Sequence, residues 1–282
     1  MNRTKWICYL TYFLEKLKKD AVSAYAGQTA FFIIMSIFPF TMLVLTLVQY
    51  LPVNAEIIIS MTRQIIPSAF DSYIVSLINE IYEKPLVTIV SVTFLGAIWA
   101  VSKSFLAVIR GCNFVYGIDE TRNYVKLRLI SSVYTILFAV IIAITLVVMV
   151  FGNTIIFALA KQFPFFNEMA KVIIVVRTIL GFIVMFGFFL AVYVFVPNRK
   201  TKAVHEIPGA IVTTVGWIGF SYLYSFYIDH FANFDTYGSL TTMVFMMLWL
   251  YACMYIFFIG GEINVLWNNW DNIENFLVEK SK

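Results

Sequence analysis

The chain has 282 residues, of which 61% are hydrophobic, 18% aromatic and only 13% charged, and its net charge is +4. In soluble domains about a quarter of the residues are charged, so this chain lacks the polar surface that would cover a globule in water. The composition therefore argues against an ordinary soluble enzyme and predicts an all-α, polytopic membrane helix bundle.

Long intervals without a charged residue predict about six transmembrane helices. Each interval is long enough for a helix to cross a hydrocarbon core of about 30 Å. The intervals are continuously apolar and show no polar alternation, which favours helices over barrel strands. The predicted spans are residues 29–51, 86–107, 131–153, 172–196, 207–228 and 239–261.

The positive charges fall mainly on one side of these spans. Of the 20 Lys and Arg residues, 15 lie in the N-terminal segment, at or after the inner end of the second span, after the fourth span and in the C-terminal tail. Cytoplasmic loops are enriched in Lys and Arg, so both termini are predicted inside. The same bias accounts for the net positive charge without a nucleic-acid partner.

We expect a single membrane domain over residues 1–282, with a basic amphipathic N-terminal helix at 1–20, the six-span bundle at 29–261 and a cytoplasmic tail at 262–282. The N-terminal helix has two open interpretations: it lies among lipid headgroups, or it packs on the inner face of the bundle. Short interfacial helices are predicted at Ile57–Ile66 and Tyr73–Tyr82 in the external loop.

Two cations near the inner end of the second span suggest a binding site. Lys103 and Arg110 are seven residues apart, which places them on one helix face about 10 Å apart along the axis. With Asn198, Arg199 and Lys200 they form a candidate site for an anionic phosphate headgroup. In the alternative interpretation Lys103 snorkels to the interface and Arg110 is an ordinary cytoplasmic anchor.

Four other polar residues are considered as candidate site residues. Glu262, at the inner end of the last span, is a possible charge partner for an inner cation. Arg177 is an outer-side candidate that could equally snorkel. His205 and His230 are predicted on opposite sides of the membrane, so they cannot share a metal.

Sequence motifs of known catalytic sites are missing. The chain has no His-Glu-x-x-His, Cys-x-x-Cys, Gly-x-Ser-x-Gly, Walker or Gly-x-Gly-x-x-Gly pattern. We therefore predict no enzyme activity, no catalytic residue, no metal and no other cofactor. The three scattered cysteines are expected to be reduced.

Several segments together resemble the YihY/BrkB family of bacterial inner-membrane proteins, in the family's order and over most of the chain from about residue 20. These segments are Ala30-Phe31-Phe32, Ser36-Ile37-Phe38-Pro39, Trp99, Ser102-Lys103, Ala107, Asn113, Tyr116, Pro197-Asn198-Arg199-Lys200, Pro208-Gly209-Ala210, Tyr237-Gly238-Ser239-Leu240, Trp249-Leu250-Tyr251 and Gly260-Gly261-Glu262-Ile263-Asn264.

The resemblance implies a multi-pass protein of the bacterial cytoplasmic membrane with a role in envelope lipid export. An older ribonuclease BN label in this family conflicts with the lack of His and Asp metal ligands here. Our leading hypothesis is a transporter or flippase-like protein for an anionic lipid or a lipid-linked envelope precursor. The alternatives are a non-transporting scaffold for envelope assembly and, third, a ribonuclease. Membrane lipids are the expected partners, and nucleic acid is not.

Overall fold

The computed structural model describes residues 3–48, 92–141, 170–231 and 239–269, together with the isolated positions 56, 59, 75–76 and 78–79. The described residues form helices joined by short turns, with no strand among them, which confirms the all-α prediction. The helices are α1 (Arg3–Lys19), α2 (Val22–Val48), α3 (Val92–Val115), α4 (Tyr124–Ile141), α5 (Ala170–Phe195), α6 (Ile207–Phe231) and α7 (Ser239–Asn268). A short 3-10 helix, Ala203–Glu206, precedes α6.

Each predicted span overlaps one of the helices α2 to α7. Four of these helices are long and apolar enough over their described residues to cross a membrane, namely α3, α4, α6 and α7. The other two, α2 and α5, contribute the shorter apolar stretches Val22–Ile37 and Gly181–Phe195. The prediction of a multi-pass membrane helix bundle is therefore confirmed. Helix α1 occupies the basic segment predicted at residues 1–20.

Large apolar side chains are exposed along the outer helix faces. Val184 and Phe195 on α5, and Tyr222 and Leu223 on α6, are between 65% and 74% exposed. A soluble monomer rarely shows so much contiguous apolar surface, whereas lipid tails solvate it well. These faces suit the hydrocarbon core.

Backbone conformations at two positions end the first and third helices. Ala21 has a φ of 47° and separates α1 from α2. Gly117 has a φ of 63° directly after α3, where a residue without Cβ adopts the left-handed conformation at little cost.

The chain divides into two compact units. The first unit consists of residues 1–31, 106–122 and 179–282. Within it α6 packs against α7, and the 3-10 helix contacts both. Tyr193 of α5 is buried in this unit and stacks on Phe257 of α7, with ring centroids 5.0 Å apart.

The second unit consists of residues 32–105 and 123–178. Its described part contains the second half of α2, the first half of α3 and helix α4. The Ser104 hydroxyl donates a hydrogen bond of 3.0 Å to the hydroxyl of Ser36. Phe138 of α4 packs on Phe40 and Phe105, with centroid distances of 5.5 and 5.7 Å. These contacts join α2, α3 and α4.

Three predictions lie outside the described residues: most of the external loop with its two short helices, the tail beyond residue 269, and the side chain of Arg177 on α5. The single-domain prediction also stays a prediction.

Candidate functional site

A fully buried carboxylate, Glu206, organises the polar residues at the predicted cytoplasmic end of the first unit. Its side chain is 0% exposed and accepts three hydrogen bonds. The Tyr116 hydroxyl donates at 2.8 Å, the Arg199 guanidinium at 2.6 Å and the Thr201 hydroxyl at 2.9 Å. A buried carboxylate is tolerated when it is paired and hydrogen-bonded, and Glu206 meets both conditions.

Arg199 is bound on two sides within the protein. Its guanidinium forms the ion pair with Glu206 and lies 3.7 Å from the centre of the Tyr116 ring. Burial raises the pKa of the Tyr116 phenol well above its usual value of 10.0, so the hydroxyl stays protonated and donates to Glu206. The charge of Arg199 is thus balanced by a carboxylate from its own chain.

The close crossing of α6 and α7 depends on two glycines. The backbone N–H of Gly209 donates at 2.6 Å to the side-chain carbonyl of Asn264, whose amide donates at 3.1 Å to the Tyr116 hydroxyl. A Cβ on Gly260 would lie 2.8 Å from the Gly209 carbonyl oxygen and 2.5 Å from the Tyr193 hydroxyl. Small residues here permit the backbone approach that brings Asn264 to the network.

A second cluster joins the turn after α3 to the segment after α5. The side-chain carbonyl of Asn113 accepts from the Asn198 backbone N–H at 2.8 Å, and its amide donates to Glu120 at 2.5 Å. Arg122 donates to both oxygens of Glu120, at 2.8 and 2.7 Å. The hydrogen bond from Arg122 lowers the pKa of Glu120 below its usual value.

The segments that carried the family resemblance therefore converge. Tyr116, Arg199, Gly209 and Asn264 are distant in sequence but share the first network, and Asn113 and Asn198 share the second cluster, so these segments form one polar region. Within this region Arg199 and Glu206 cancel in charge, as do Arg122 and Glu120. These polar contacts hold the helix ends together, and the balanced charges make the region a poor site for an anion.

Glu262 belongs to a separate ion cluster in the same unit. The Lys16 ammonium of α1 lies 2.6 Å from a Glu262 carboxylate oxygen and also contacts Asp20. Glu262 is 0% exposed. The inner cation that pairs with Glu262 is thus one from the N-terminal helix.

A positively charged site lies in the second unit, around the indole of Trp99. The Lys103 ammonium is 4.8 Å from the ring centre, and the Arg128 guanidinium carbon of α4 is 4.6 Å from it. The guanidinium also donates to the backbone carbonyl of Trp99. Over the described residues neither cation has a carboxylate partner, and the Arg128 Nε is buried without a hydrogen bond. Trp99 is 55% exposed, so the two cations meet at an accessible aromatic surface.

The predicted site residues are thus placed in different settings. Lys103 lies at Trp99, Arg110 and Lys200 are exposed, and Asn198 and Arg199 are engaged within the first unit. The sequence interpretation missed Arg128, which it counted only as a cytoplasmic anchor, and Glu206. A signal existed for Arg128, because it is the last charged residue before the charge-free interval that predicted the third span. No local signal marked Glu206.

Across the described ranges, no group of three or more His, Cys, Asp or Glu side chains is arranged to hold a metal ion.

Comparison with known proteins finds bacterial relatives that match most of this chain. YfkH of Bacillus subtilis, which is named as a ribonuclease-like protein, is 32% identical over 243 residues, covering 86% of this chain and 88% of its own. A UPF0761 membrane protein of Photobacterium profundum is 25% identical over 91% of this chain and 80% of its own. One from Prosthecochloris aestuarii is 25% identical over 90% of this chain and 59% of its own.

No solved structure matches the chain. The model of the family described as "Virulence factor BrkB" matches residues 13–277, almost the whole chain. The chain is therefore a multi-pass bacterial membrane protein, and it belongs to the virulence factor BrkB family.

Proposed function

We propose that this protein moves an anionic lipid or a lipid-linked envelope precursor across the bacterial membrane, as a transporter or flippase-like protein. The observation that supports this function best is the pair of cations, Lys103 and Arg128, over the exposed ring of Trp99. Charged residues inside membrane segments are costly, and they usually mark a pathway or a binding site.

The charge of the site favours an anion. Two cations within 5 Å of one ring centre repel each other, and among the described residues no carboxylate neutralises them. A phosphate group placed beside them would relieve this repulsion and satisfy the free Nε of Arg128. Hydrogen bonds from guanidinium or ammonium groups to phosphate are about twice as strong as neutral ones.

The ring supplies the second requirement of a lipid site. Tryptophan prefers the membrane interface, where its indole contacts both lipid tails and headgroups. With Trp99 half exposed, an acyl chain could pack on the indole while the cations hold the headgroup. Arg110, Asn198, Arg199 and Lys200 belong to the first unit and remain predictions for headgroup binding there, where the Glu206 ion pair makes Arg199 the weaker candidate.

Lipid movement can be measured in liposomes that contain the purified protein and phosphatidylglycerol with a fluorescent acyl chain. Bleaching of the outer leaflet by dithionite reports the rate at which labelled lipid crosses. We expect the wild type to move phosphatidylglycerol faster than phosphatidylcholine. Lys103→Gln/Arg128→Gln should slow phosphatidylglycerol by about tenfold or more, since the loss of one charged hydrogen bond costs about 1.5–3 kcal/mol.

Two matched variants separate charge at this site from charge elsewhere. Lys126→Gln removes an exposed cation from the same helix, two residues before Arg128, and should leave the rate unchanged. Arg128→Lys keeps the positive charge and should retain more activity than Arg128→Gln. Equal rates for the double variant and the wild type, in protein that elutes as a folded species, would refute the site. A wild type that moves neither lipid would refute transport.

The name of YfkH raises ribonuclease activity for its relative. The expectation that this chain is not an enzyme stays a prediction, and incubation of the purified protein with RNA, with and without a chelator, tests it. Chelator-sensitive cleavage would contradict the prediction.

A further inference from the structure

Helix α1 is joined to α7 by an ion cluster with one more negative than positive charge. The Lys16 ammonium contacts Asp20 of α1 and lies 2.6 Å from Glu262 of α7. Because both carboxylates contact the same nitrogen, they are close neighbours. The exposed fraction of the side chain is 17% for Lys16, 15% for Asp20 and 0% for Glu262.

One carboxylate oxygen of this cluster has no partner. Glu262 Oε2 contacts Lys16 as an ion pair, but both Glu262 oxygens are buried, neither accepts a hydrogen bond from any described residue, and Oε1 has no ionic contact either. An ionised oxygen left in this state costs free energy, because it has lost water and gained nothing in return. A proton on the carboxyl group would bring the cluster to zero net charge.

We propose that Glu262 and Asp20, bridged by Lys16, form a proton-binding site at the junction of α1 and α7. Two neighbouring carboxylates do not ionise independently, so the negative charge of Asp20 favours a proton on Glu262. The proton comes from water on the predicted cytoplasmic side and adds to a carboxylate oxygen. No other bond forms or breaks.

The surroundings leave Glu262 as the group that binds the proton. Lys16 and Asp20 are the charged groups that act on Glu262 from α1. Tyr116, which lies beside Gly261 of the same turn, donates to Glu206, and the Asn264 amide donates to Tyr116. Burial alone would lower the pKa of Lys16, but its contacts with the carboxylates of Asp20 and Glu262 outweigh this effect and raise the pKa. Lys16 therefore keeps its proton while Glu262 gains one.

Protonation would change how α1 is held. The ionised Glu262 attracts Lys16, whereas the neutral acid attracts it much less, so proton uptake loosens the contact between α1 and α7. If the protein transports lipid as proposed above, this site offers a means for a proton gradient to act on the cycle. That last step rests on the proposed function, but proton binding itself does not.

Infrared difference spectroscopy of the full chain in lipid detects the site directly. Titration of the wild type should produce one component of the carboxylic-acid carbonyl stretch that belongs to the buried Glu262, and Glu262→Gln should remove this band. Glu15→Gln, which alters an exposed carboxylate on the same helix, should leave the band unchanged. Persistence of the band in Glu262→Gln would overturn the proposal.

Two further variants should shift the band in opposite directions. Lys16→Met removes the positive charge that favours the ionised pair, so the midpoint should move to higher pH by about one to three units. Asp20→Asn removes a like charge, so the midpoint should move to lower pH. Shifts in the same direction would contradict a shared site. Should Glu262→Gln not fold, these two variants still test the site.

Transport gives a separate measurement. In the liposome assay a pH gradient should change the rate of phosphatidylglycerol movement in the wild type and should have no effect in Glu262→Gln. A response to a sodium gradient alone would argue against a proton. If the wild type moves no lipid but still shows the infrared titration, the transport function is refuted and the proton-binding site is not.

Discussion

Removal of the Glu206 charge should destabilise the first unit strongly. Glu206 is fully buried and binds Tyr116, Arg199 and Thr201, so Glu206→Gln leaves the Arg199 guanidinium without its counter-charge. Breaking a buried ion pair on one side costs about 3–5 kcal/mol. Because the Arg199 side chain is 26% exposed, we expect a loss of about 3 kcal/mol, at the lower end of that range.

A double-mutant cycle tests whether this cost comes from the pair. Arg199→Met and Glu206→Leu should each destabilise, and together they should cost less than their sum by about 0.5–3 kcal/mol. The free energy of unfolding can be measured by SDS titration in mixed micelles, followed by tryptophan fluorescence. Lys200→Met, which alters an exposed neighbour, should stay within about 0.5 kcal/mol of the wild type. Additive losses in the cycle would show that the ion pair does not act as a unit.

Two further predictions concern the same unit. Gly260→Ala should cost about 1–3 kcal/mol of unfolding free energy, because its Cβ would lie 2.5 Å from the Tyr193 hydroxyl. Gly219→Ala on α6, whose Cβ would meet nothing within 4 Å, should stabilise the helix by up to about 1 kcal/mol. Equal effects of the two variants in the same titration would refute the close crossing of α6 and α7. The lowered pKa of Glu120, caused by the hydrogen bond from Arg122, contributes stability that is fully present above the unfolded pKa near 4.5 and is lost as the pH falls through the lower folded value. The wild type should therefore lose more stability than Glu120→Gln over this acid range, and parallel pH profiles would contradict the assignment.

The sequence was sufficient to predict the helices, because hydrophobicity and charge act locally. A charge-free interval after Asp20 predicted a span, and α2 begins within it at Val22. Helix α3 runs to Val115, eight residues beyond the predicted end at 107, and includes Arg110. The difference has a physical reason: a helix does not end where the membrane does, and a cation at its inner end is satisfied by water or headgroups.

The pairing of the polar residues could not be predicted in the same way. Glu206 and Tyr116 are 90 residues apart, and Asn264 and Tyr116 are 148 apart. A hydropathy pattern does not predict which donor hydrogen-bonds to a given buried carboxylate. The family resemblance included segments that border the Glu206 network, namely Pro208-Gly209 and Gly260-Gly261. It did not indicate which residues these segments contact.

Arg128 was not identified from the sequence for a different reason. The positive-inside rule explains the presence of a cation near a helix end, and this explanation removed Arg128 from the candidate site residues. Its contact with Trp99 depends on how α3 and α4 pack within the second unit, which neither helix pattern specifies alone.

On the proposed function, Lys103 and Arg128 hold an anionic headgroup beside Trp99. Native mass spectrometry of the protein, released from micelles with equal amounts of phosphatidylglycerol and phosphatidylcholine, measures this binding without transport. We predict that the wild type retains phosphatidylglycerol preferentially, that Lys126→Gln behaves alike, and that Lys103→Gln/Arg128→Gln loses the preference. Retention of both lipids in equal amounts by the wild type, or an unchanged preference in the double variant, would contradict the claim.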